Sequence, residues 1–441
     1  MVTPCGLEPA RSDDSPATRL RVAMLTETYP PEVNGVAVTV SHLVQGLLRH
    51  GHQVQLIRPR QGISDLPRTS GLLDQVLTRG LPIPRYPELK VGLPAHRRLA
   101  QLWSQNRPDI VHIATEGPLG WSALRTALRL GIPTVSEFRT NFHAYSRHYG
   151  IGVLQGRILG YLRSFHNRSG CTMVPTAALG RELASSGFDR LHVVARGVDT
   201  SLFNPSHRSI ELRRSWGAQP DSLIVTAVGR LAPEKNLGLL VQAFQRIQQQ
   251  APSARLVLVG DGPARESLRK KLPDAIFAGK RLGDDLARHY ASADLLLFPS
   301  VTETYGNVTP EAMASALGVV AFAYGAAGEL IEHQQSGWLA PFAQDEAFIQ
   351  TAVAAANDLR RLREVGRNAH QTAARMGWDR IISQVLAIYR SFVSVSQTHS
   401  FSSARPPHRA ATIGYLPNIN PRTTSSQLEA EATLSNRAPG L

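Results

Sequence analysis

The segment Asp294-Leu-Leu-Leu-Phe-Pro-Ser-Val-Thr-Glu-Thr-Tyr-Gly-Asn-Val-Thr-Pro-Glu-Ala-Met-Ala-Ser-Ala-Leu-Gly318 decides how the rest of the chain is read. Leu295 to Phe298 is a short apolar run ended by Pro299, the pattern of a strand buried on both faces of a parallel sheet. Open α/β sheets place their ligands at the carboxyl ends of such strands. The loop that follows carries Glu303, and Thr309-Pro310-Glu311 then supplies an N-cap, a proline suited to the first helical position and an acid in the first turn. Two carboxylates, with seven residues between them, therefore share one crevice. Each can accept a pair of hydrogen bonds and so hold a vicinal diol. A sugar nucleotide presents two diols joined by a short polyanion and would match the pair. The alternative is a solvated Glu303 and a Glu311 that serves only the helix dipole.

At 441 residues the chain is long enough for two or three domains with sizeable cores, and 42% hydrophobic residues mark an ordinary globular composition. No apolar run approaches a membrane span. Residues 1–18 contain Glu8, Asp13 and Asp14 and lack a continuous apolar stretch, so they do not read as a secretory signal, and the expected location is the cytoplasm. Cys5 and Cys171 are the only cysteines, too few for a disulfide framework or a cysteine metal cage. The net charge of +14 calls for an anionic partner. No zinc-finger spacing, RNP-like aromatic string or basic tract points to nucleic acid, which leaves anionic lipid and anionic sugar nucleotides.

Working outward, the chain alternates strands and helices twice over, the grammar of two doubly wound parallel sheets. A first strand over Arg19 to Leu25 leads through Thr26-Glu27-Thr28-Tyr29-Pro30-Pro31-Glu32-Val33-Asn34-Gly35 into a helix from Val36 to Arg49. Gly35 would let backbone approach a phosphate at that helix start, or is a simple turn glycine. Strands follow at Val54 to Ile57, Ile110 to Ala114 and Pro133 to Glu137, with helices near Ala95 to Gln105 and Leu119 to Leu130. Residues 60–93, rich in Pro and Gly, read mostly as loop. Gly152 to Arg168 reads as a basic amphipathic helix, either core-packed or lying on an anionic bilayer.

Past Gly197-Val198-Asp199 the pattern restarts: Leu223 to Val228 is a strand that runs into Gly229-Arg230 and Lys235-Asn236 before a helix over Leu237 to Gln248. Arg230 and Lys235 at a strand end and a helix start offer a diphosphate two cations and backbone N–H groups. The expected divisions are a flexible segment at 1–18, a first domain at 19–205, a second at 206–377, a helix at 378–395 that crosses back, and a disordered tail at 396–441.

The central segment, with its Ala-Asp-Leu-Leu-Leu-Phe-Pro-Ser and Glu-Ala-Met-Ala-Ser flanks, resembles the Glu-x7-Glu signature of retaining glycosyltransferases of family 4. The Thr26 to Gly35 loop, the Gly197-Val198-Asp199 turn and the Arg230/Lys235 arrangement are similar to that family's as well. The resemblance covers roughly Arg19 to Arg390. It implies the GT-B architecture, two Rossmann-like domains facing across a cleft, and hexosyl transfer (mannosyl or glucosyl) from a nucleoside-diphosphate sugar with retention. Lys235 and Arg230 would hold the diphosphate, Glu303 the sugar hydroxyls and Glu311 the ribose, with Gly35, Tyr305, Gly306 and Asn307 lining the donor site.

The family usually has a His-Thr pair where this chain has Arg139-Thr140, with His143 four positions later. Either Arg139 or His143 takes that catalytic place. No metal and no cofactor are expected beyond the co-substrate, GDP-mannose or a UDP-hexose, and no Asp-x-Asp pair stands in a ligand-like loop. The expected acceptor is a lipid or a glycan, met at the inner face of the plasma membrane. The competing readings are transfer to a soluble acceptor, or an epimerase or sugar-nucleotide-binding protein on the same double fold.

Overall fold

The computed structural model describes residues 19–32, 34–83, 86–139 and 155–399. The first lobe is built on strands β1 (Arg21–Leu25), β2 (Gln53–Pro59), β3 (Thr69–Ser70), β4 (Leu73–Thr78), β5 (Gly80–Ile83), β6 (Tyr86–Gly92), β7 (Ile110–Ile113), β8 (Thr134–Glu137), β9 (Cys171–Val174) and β10 (Leu191–Val193). Eight of these form one sheet in the order β10-β9-β8-β7-β1-β2-β4-β3, parallel except where β3 runs against β4. Its helices are α1 (Gly35–Arg49), α2 (His96–Gln105), α3 (Pro118–Arg129), α4 (Gln155–His166) and α5 (Ala177–Ser185).

The second lobe uses β11 (Ile224–Val228), β12 (Arg255–Val259), β13 (Ile276–Gly279), β14 (Leu295–Phe298), β15 (Gly318–Phe322) and β16 (Trp338–Ala340), all parallel, in the order β13-β12-β11-β14-β15-β16. Its helices are α6 (Ile210–Ser215), α7 (Leu237–Gln250), α8 (Arg265–Lys271), α9 (Gly283–Ser292), α10 (Val308–Ala314), α11 (Gly325–Leu330), α12 (Asp345–Ala356) and α13 (Leu359–Ala374).

In each sheet the strand order reverses once, between β1 and β7 and between β11 and β14, and the carboxyl ends of strands at such a reversal bracket a natural crevice. Leu295 to Leu297 are fully buried, as a strand covered on both faces requires. Asp294, just before β14, is buried with its carboxylate accepting from Arg208 at 2.7 Å, Arg213 at 2.9 Å and Ile224 N at 2.9 Å. This anchors the amino end of the strand.

Helix α14 (Trp378–His399) leaves the second lobe and packs on the first. Its Ile381, Ile382, Val385, Leu386 and Tyr389 share one core with Val40, Leu43 and Leu47 of α1 and with Met24 and Leu56 of the sheet. The approach is close: a Cβ added at Gly46 would stand 2.4 Å from Ile382 Cγ1. The helix runs to His399, past the expected limit at 395. The expected flexible segment at 1–18, and residues 400–441 of the tail expected at 396–441, lie outside the described residues.

Two expectations need correction. Residues 60–93 are not mostly loop. They contain β4, which extends the parallel sheet beside β2, and the antiparallel β5/β6 pair. Pro and Gly counts mislead here because strand pairing is decided by a neighbouring edge rather than by local propensity.

Thr309 is not the N-cap of the helix that carries Glu311. Gly306, at φ 93, turns the chain so that the helix opens at Val308, with Asn307 before it and Thr309 buried inside the first turn. Of the two readings of the basic amphipathic helix, the described part of α4 fits the core-packed one. Leu162 and Phe165 are buried, and Ile158 and Leu159 pack against the core of Phe138, Leu183 and Phe188.

Candidate active site

The two crevices face each other, and side chains from both lobes meet between them. Lys235 ends a short 3-10 turn (Pro233–Lys235) after β11, and Asn236 beyond it adopts the left-handed conformation, φ 53, that swings the chain into α7. Its ammonium donates to Glu303 Oε1 on the loop after β14, and Ser300 Oγ donates to the same oxygen at 2.7 Å. Burial alone would raise the Glu303 carboxyl; Lys235, Ser300 and nearby Arg196 outweigh it and hold the group below its ordinary range. Arg230 stands one turn from Glu234, 4.0 Å away, with its side chain 44% exposed. The floor between β11 and β12 is bare backbone: a Cβ on Gly260 would lie 1.9 Å from Gly229 O, and one on Gly262 2.4 Å from Leu231 O.

From the first lobe, Arg139 leaves the end of β8 and pairs with Glu137 Oε2. Glu137 Oε1 receives His112 Nε2 at 2.6 Å, and the other ring nitrogen of His112 meets the hydroxyl of Tyr389 on α14. Burial opposes ionisation of Glu137, but Arg139 and His112 overcome it and pull its pKa down to about 2. Arg139 is buried, and its Nε and Nη1 have no hydrogen-bond partner among the described residues. A guanidinium held from behind by a carboxylate, with two nitrogens unpartnered among the described residues, is prepared to receive an anion. His143, the other candidate for this place, lies outside the described residues.

Arg196, which sequence reasoning passed over, joins the two lobes. Its Nη1 donates to Asn307 Oδ1 at 3.4 Å, its guanidinium lies over the Tyr305 ring at 5.6 Å, and its carbonyl accepts the Tyr305 hydroxyl at 3.2 Å. Burial first, and then neighbouring Arg139, lower its pKa to about 10. The only local signal was its position one residue before the Gly197-Val198-Asp199 turn. Further contacts hold the lobes together. Thr304 Oγ1 donates to Arg139 O at 2.9 Å, and Glu329 Oε1 accepts from Ala177 N at 2.9 Å at the start of α5.

Gly35 opens α1, whose N-cap Asn34 accepts from Val36 N and Ala37 N. A Cβ at Gly35 would lie 3.6 Å from Asn307 Nδ2, an ordinary contact, so the glycine faces the cleft without being sterically required there. Gly325 is required: at φ 58 its Cβ would come within 2.6 Å of Tyr305 O. Glu311 stands apart from the ion pairs. Tyr290 donates to its Oε2 at 2.9 Å, and burial pushes its pKa up to about 7. The structure thus brings together Arg139, Arg196, Lys235, Glu303, Tyr305 and Asn307, with Gly35 and Gly306 beside them, while Arg230 and Glu311 lie on the second-lobe side.

Glu27, on the loop after β1, is likewise pushed up to about 7 by burial, against the hydrogen bond from Leu119 N and with Glu116 adding to the rise. Because the folded values of Glu27 and Glu311 exceed the ordinary 4.5, the native state holds protons that the unfolded chain has released. Their contribution to stability is complete below about pH 4.5 and is lost as the pH climbs toward 7. The melting temperature of the ligand-free protein is expected to fall across this window, and Glu27→Gln with Glu311→Gln to flatten the slope. An unchanged slope in the double variant would refute the assignment.

Similar folds are found in solved structures. Sucrose-phosphate synthase from Thermosynechococcus elongatus superposes with a TM-score of 0.70 over 86% of this chain and 100% of its own, at 17% identity. Anabaena HepE, solved in complex with UDP and glucose, gives 0.65 over 85% and 100% at 18% identity. The architecture is that of the GT-B glycosyltransferases. Residues 33–202 match the family model described as Glycosyltransferase Family 4, and residues 222–358 the one described as Glycosyl transferases group 1.

The chain belongs to glycosyltransferase family 4 and is a nucleotide-sugar glycosyltransferase. It is 36% identical over 343 residues to a GDP-mannose-dependent alpha-mannosyltransferase of Mycobacterium tuberculosis, spanning 76% of this chain and 87% of that one. It is 31% identical over 324 residues to the sulfoquinovosyl transferase SQD2 of Arabidopsis thaliana, spanning 72% and 62%.

Proposed function

We propose that the protein transfers a mannosyl group from GDP-mannose, with retention at the anomeric carbon and without a metal ion, to a hydroxyl of a lipid or lipid-linked glycan. The observation that carries this reading is the junction of Arg139 and Arg196 from one lobe with Lys235 and Glu303 from the other. Cleavage of the anomeric bond places charge on the departing diphosphate, and three preorganised cations can stabilise it where a metal otherwise would. Glu303 Oε1 is committed to Lys235 and Ser300, which suits a carboxylate that accepts sugar hydroxyls rather than one that attacks carbon. Delivery of the acceptor beside the leaving phosphate then accounts for retention.

The choice of donor is supported by relatives named for GDP-mannose at 31–36% identity. The choice of a membrane acceptor is supported by the edge of the first lobe. Ile63, Leu66 and Leu81 are 97%, 67% and 54% exposed in a segment that also exposes Arg60, Arg68 and Arg79. Apolar and cationic groups side by side suit an anionic bilayer. No helix of the described residues is long and apolar enough to cross a membrane.

The test is incubation with labelled GDP-mannose and UDP-hexoses, with and without lipid vesicles, followed by NMR of the product. An α-linked mannolipid is expected. Transfer to soluble acceptors alone, an inverted product, or donor binding without turnover would each overturn a stated part of the reading. Donor choice can be ranked beforehand by thermal shift, since ligand at a hundred times its Kd adds about 2.7 kcal/mol.

A further inference from the structure

The second lobe carries a second cationic concavity, at the opposite end of its sheet from the cleft. It opens beside Ala293 and Asp294, at the amino end of β14, whereas Glu303 follows the carboxyl end. The pocket is about 930 Å³ and is lined by Arg208, Arg213, Arg214, Arg363 and Arg367. Asp294 is the one acid on its wall, and both carboxylate oxygens are already taken, at 2.7 Å by Arg208 and 2.9 Å by Arg213. Arg214, Arg363 and Arg367 are exposed and have no acidic partner among the described residues. Arg363 and Arg367 are four apart on α13, a spacing that sets like charges against each other and weakens the helix unless an anion lies between them. Ser315, also on the wall, is buried with its hydroxyl unpartnered among the described residues.

Arg208 and Arg213 are taken up by Asp294 and by the carbonyls of Ser222, Ala291, Ser292 and Ala293, which leaves Arg214, Arg363 and Arg367, with the Ser315 hydroxyl beneath, as the groups that can receive an anion. Guanidinium is the group best matched to phosphate oxygens, which it binds in pairs. Ile210, Ala218 and Pro220, also on the wall, give the rest of a phosphate-bearing molecule apolar surface to lie against. We infer that this pocket is a second ligand site, separate from the donor cleft, that binds a phosphate ester. The phosphate can belong to a soluble metabolite or to a phospholipid headgroup seated from a membrane.

Hydrogen exchange resolves the two sources because it reports by segment. Inorganic pyrophosphate is added to the full chain in one arm and phosphatidylglycerol vesicles in the other. Slowed exchange at residues 205–219 and 359–374 is expected from at least one probe, apart from any change near Lys235 and Glu303 in the cleft. Protection by pyrophosphate marks a soluble ligand, and protection by vesicles alone marks a lipid. In Arg214→Gln/Arg363→Gln/Arg367→Gln, affinity read from that protection should fall on the order of 100-fold, at about fivefold per cation. Gln preserves helix propensity at these exposed positions, so the variant is expected to fold and to retain basal transfer activity. Absence of protection at these segments with both probes, or equal protection in the variant, overturns the assignment.

Discussion

Replacing Lys235 by alanine is expected to lower kcat by about 10²–10³-fold, the usual cost of removing one preorganised group from a developing negative charge. The ammonium sits where the strand order of the second lobe reverses, in contact with Glu303, so its loss acts twice. The leaving diphosphate loses a cation, and a carboxylate now held below its ordinary range loses the partner that keeps it there. The effects separate experimentally. Loss of the ion pair appears as a lower denaturation midpoint, whereas the catalytic effect persists at temperatures where the variant is fully folded. Glu303→Gln keeps the size of the side chain but removes its charge, and should weaken sugar positioning while leaving nucleotide diphosphate affinity near wild type. A folded Lys235→Ala protein with wild-type turnover would remove Lys235 from the leaving-group site.

Arg139 carries the second large effect. Its Nε and Nη1 are unpartnered among the described residues, and its Nη2 is tied to Glu137, which His112 and Tyr389 hold in turn. Arg139→Ala should reduce kcat by about 10²-fold or more, and should also strand Glu137, whose pKa would climb from about 2 because burial then meets only His112 and Arg196 in opposition. Arg139→Lys keeps a charge for Glu137 but not the planar fork, so stability should largely recover while kcat does not. If lysine restores full turnover, a point charge suffices there and the guanidinium geometry has no special part. If alanine is harmless, the catalytic place belongs to another group.

Local chemistry explains what the sequence made readable. Buried parallel strands such as Leu295 to Phe298 declare themselves as apolar runs, and Lys235 and Glu303 lie within a few residues of strand ends, where ligand groups belong. What escaped depends on contacts between distant segments. Arg196 matters because Asn307 and Tyr305 of the other lobe meet it, and His112 pairs with a tyrosine 277 positions away. Neither leaves a local pattern. The strands at 60–93 leave no local pattern for a related reason, since an edge strand is defined by the sheet it joins. Thr309 looked like a cap because a hydroxyl before a proline so often is one; the turn at Gly306 started the helix earlier.

The last helix places a constraint on biosynthesis. The face of the first sheet that carries Met24, Leu56 and the α1 residues Leu43 and Leu47 is sealed by residues made at the far end of the message. While the ribosome is still translating the second lobe, that apolar face has no cover, so the half synthesised first is finished last and depends on the other half having folded out of the way. A stop codon just ahead of Trp378 would therefore harm the distant amino-terminal lobe more than the lobe it truncates.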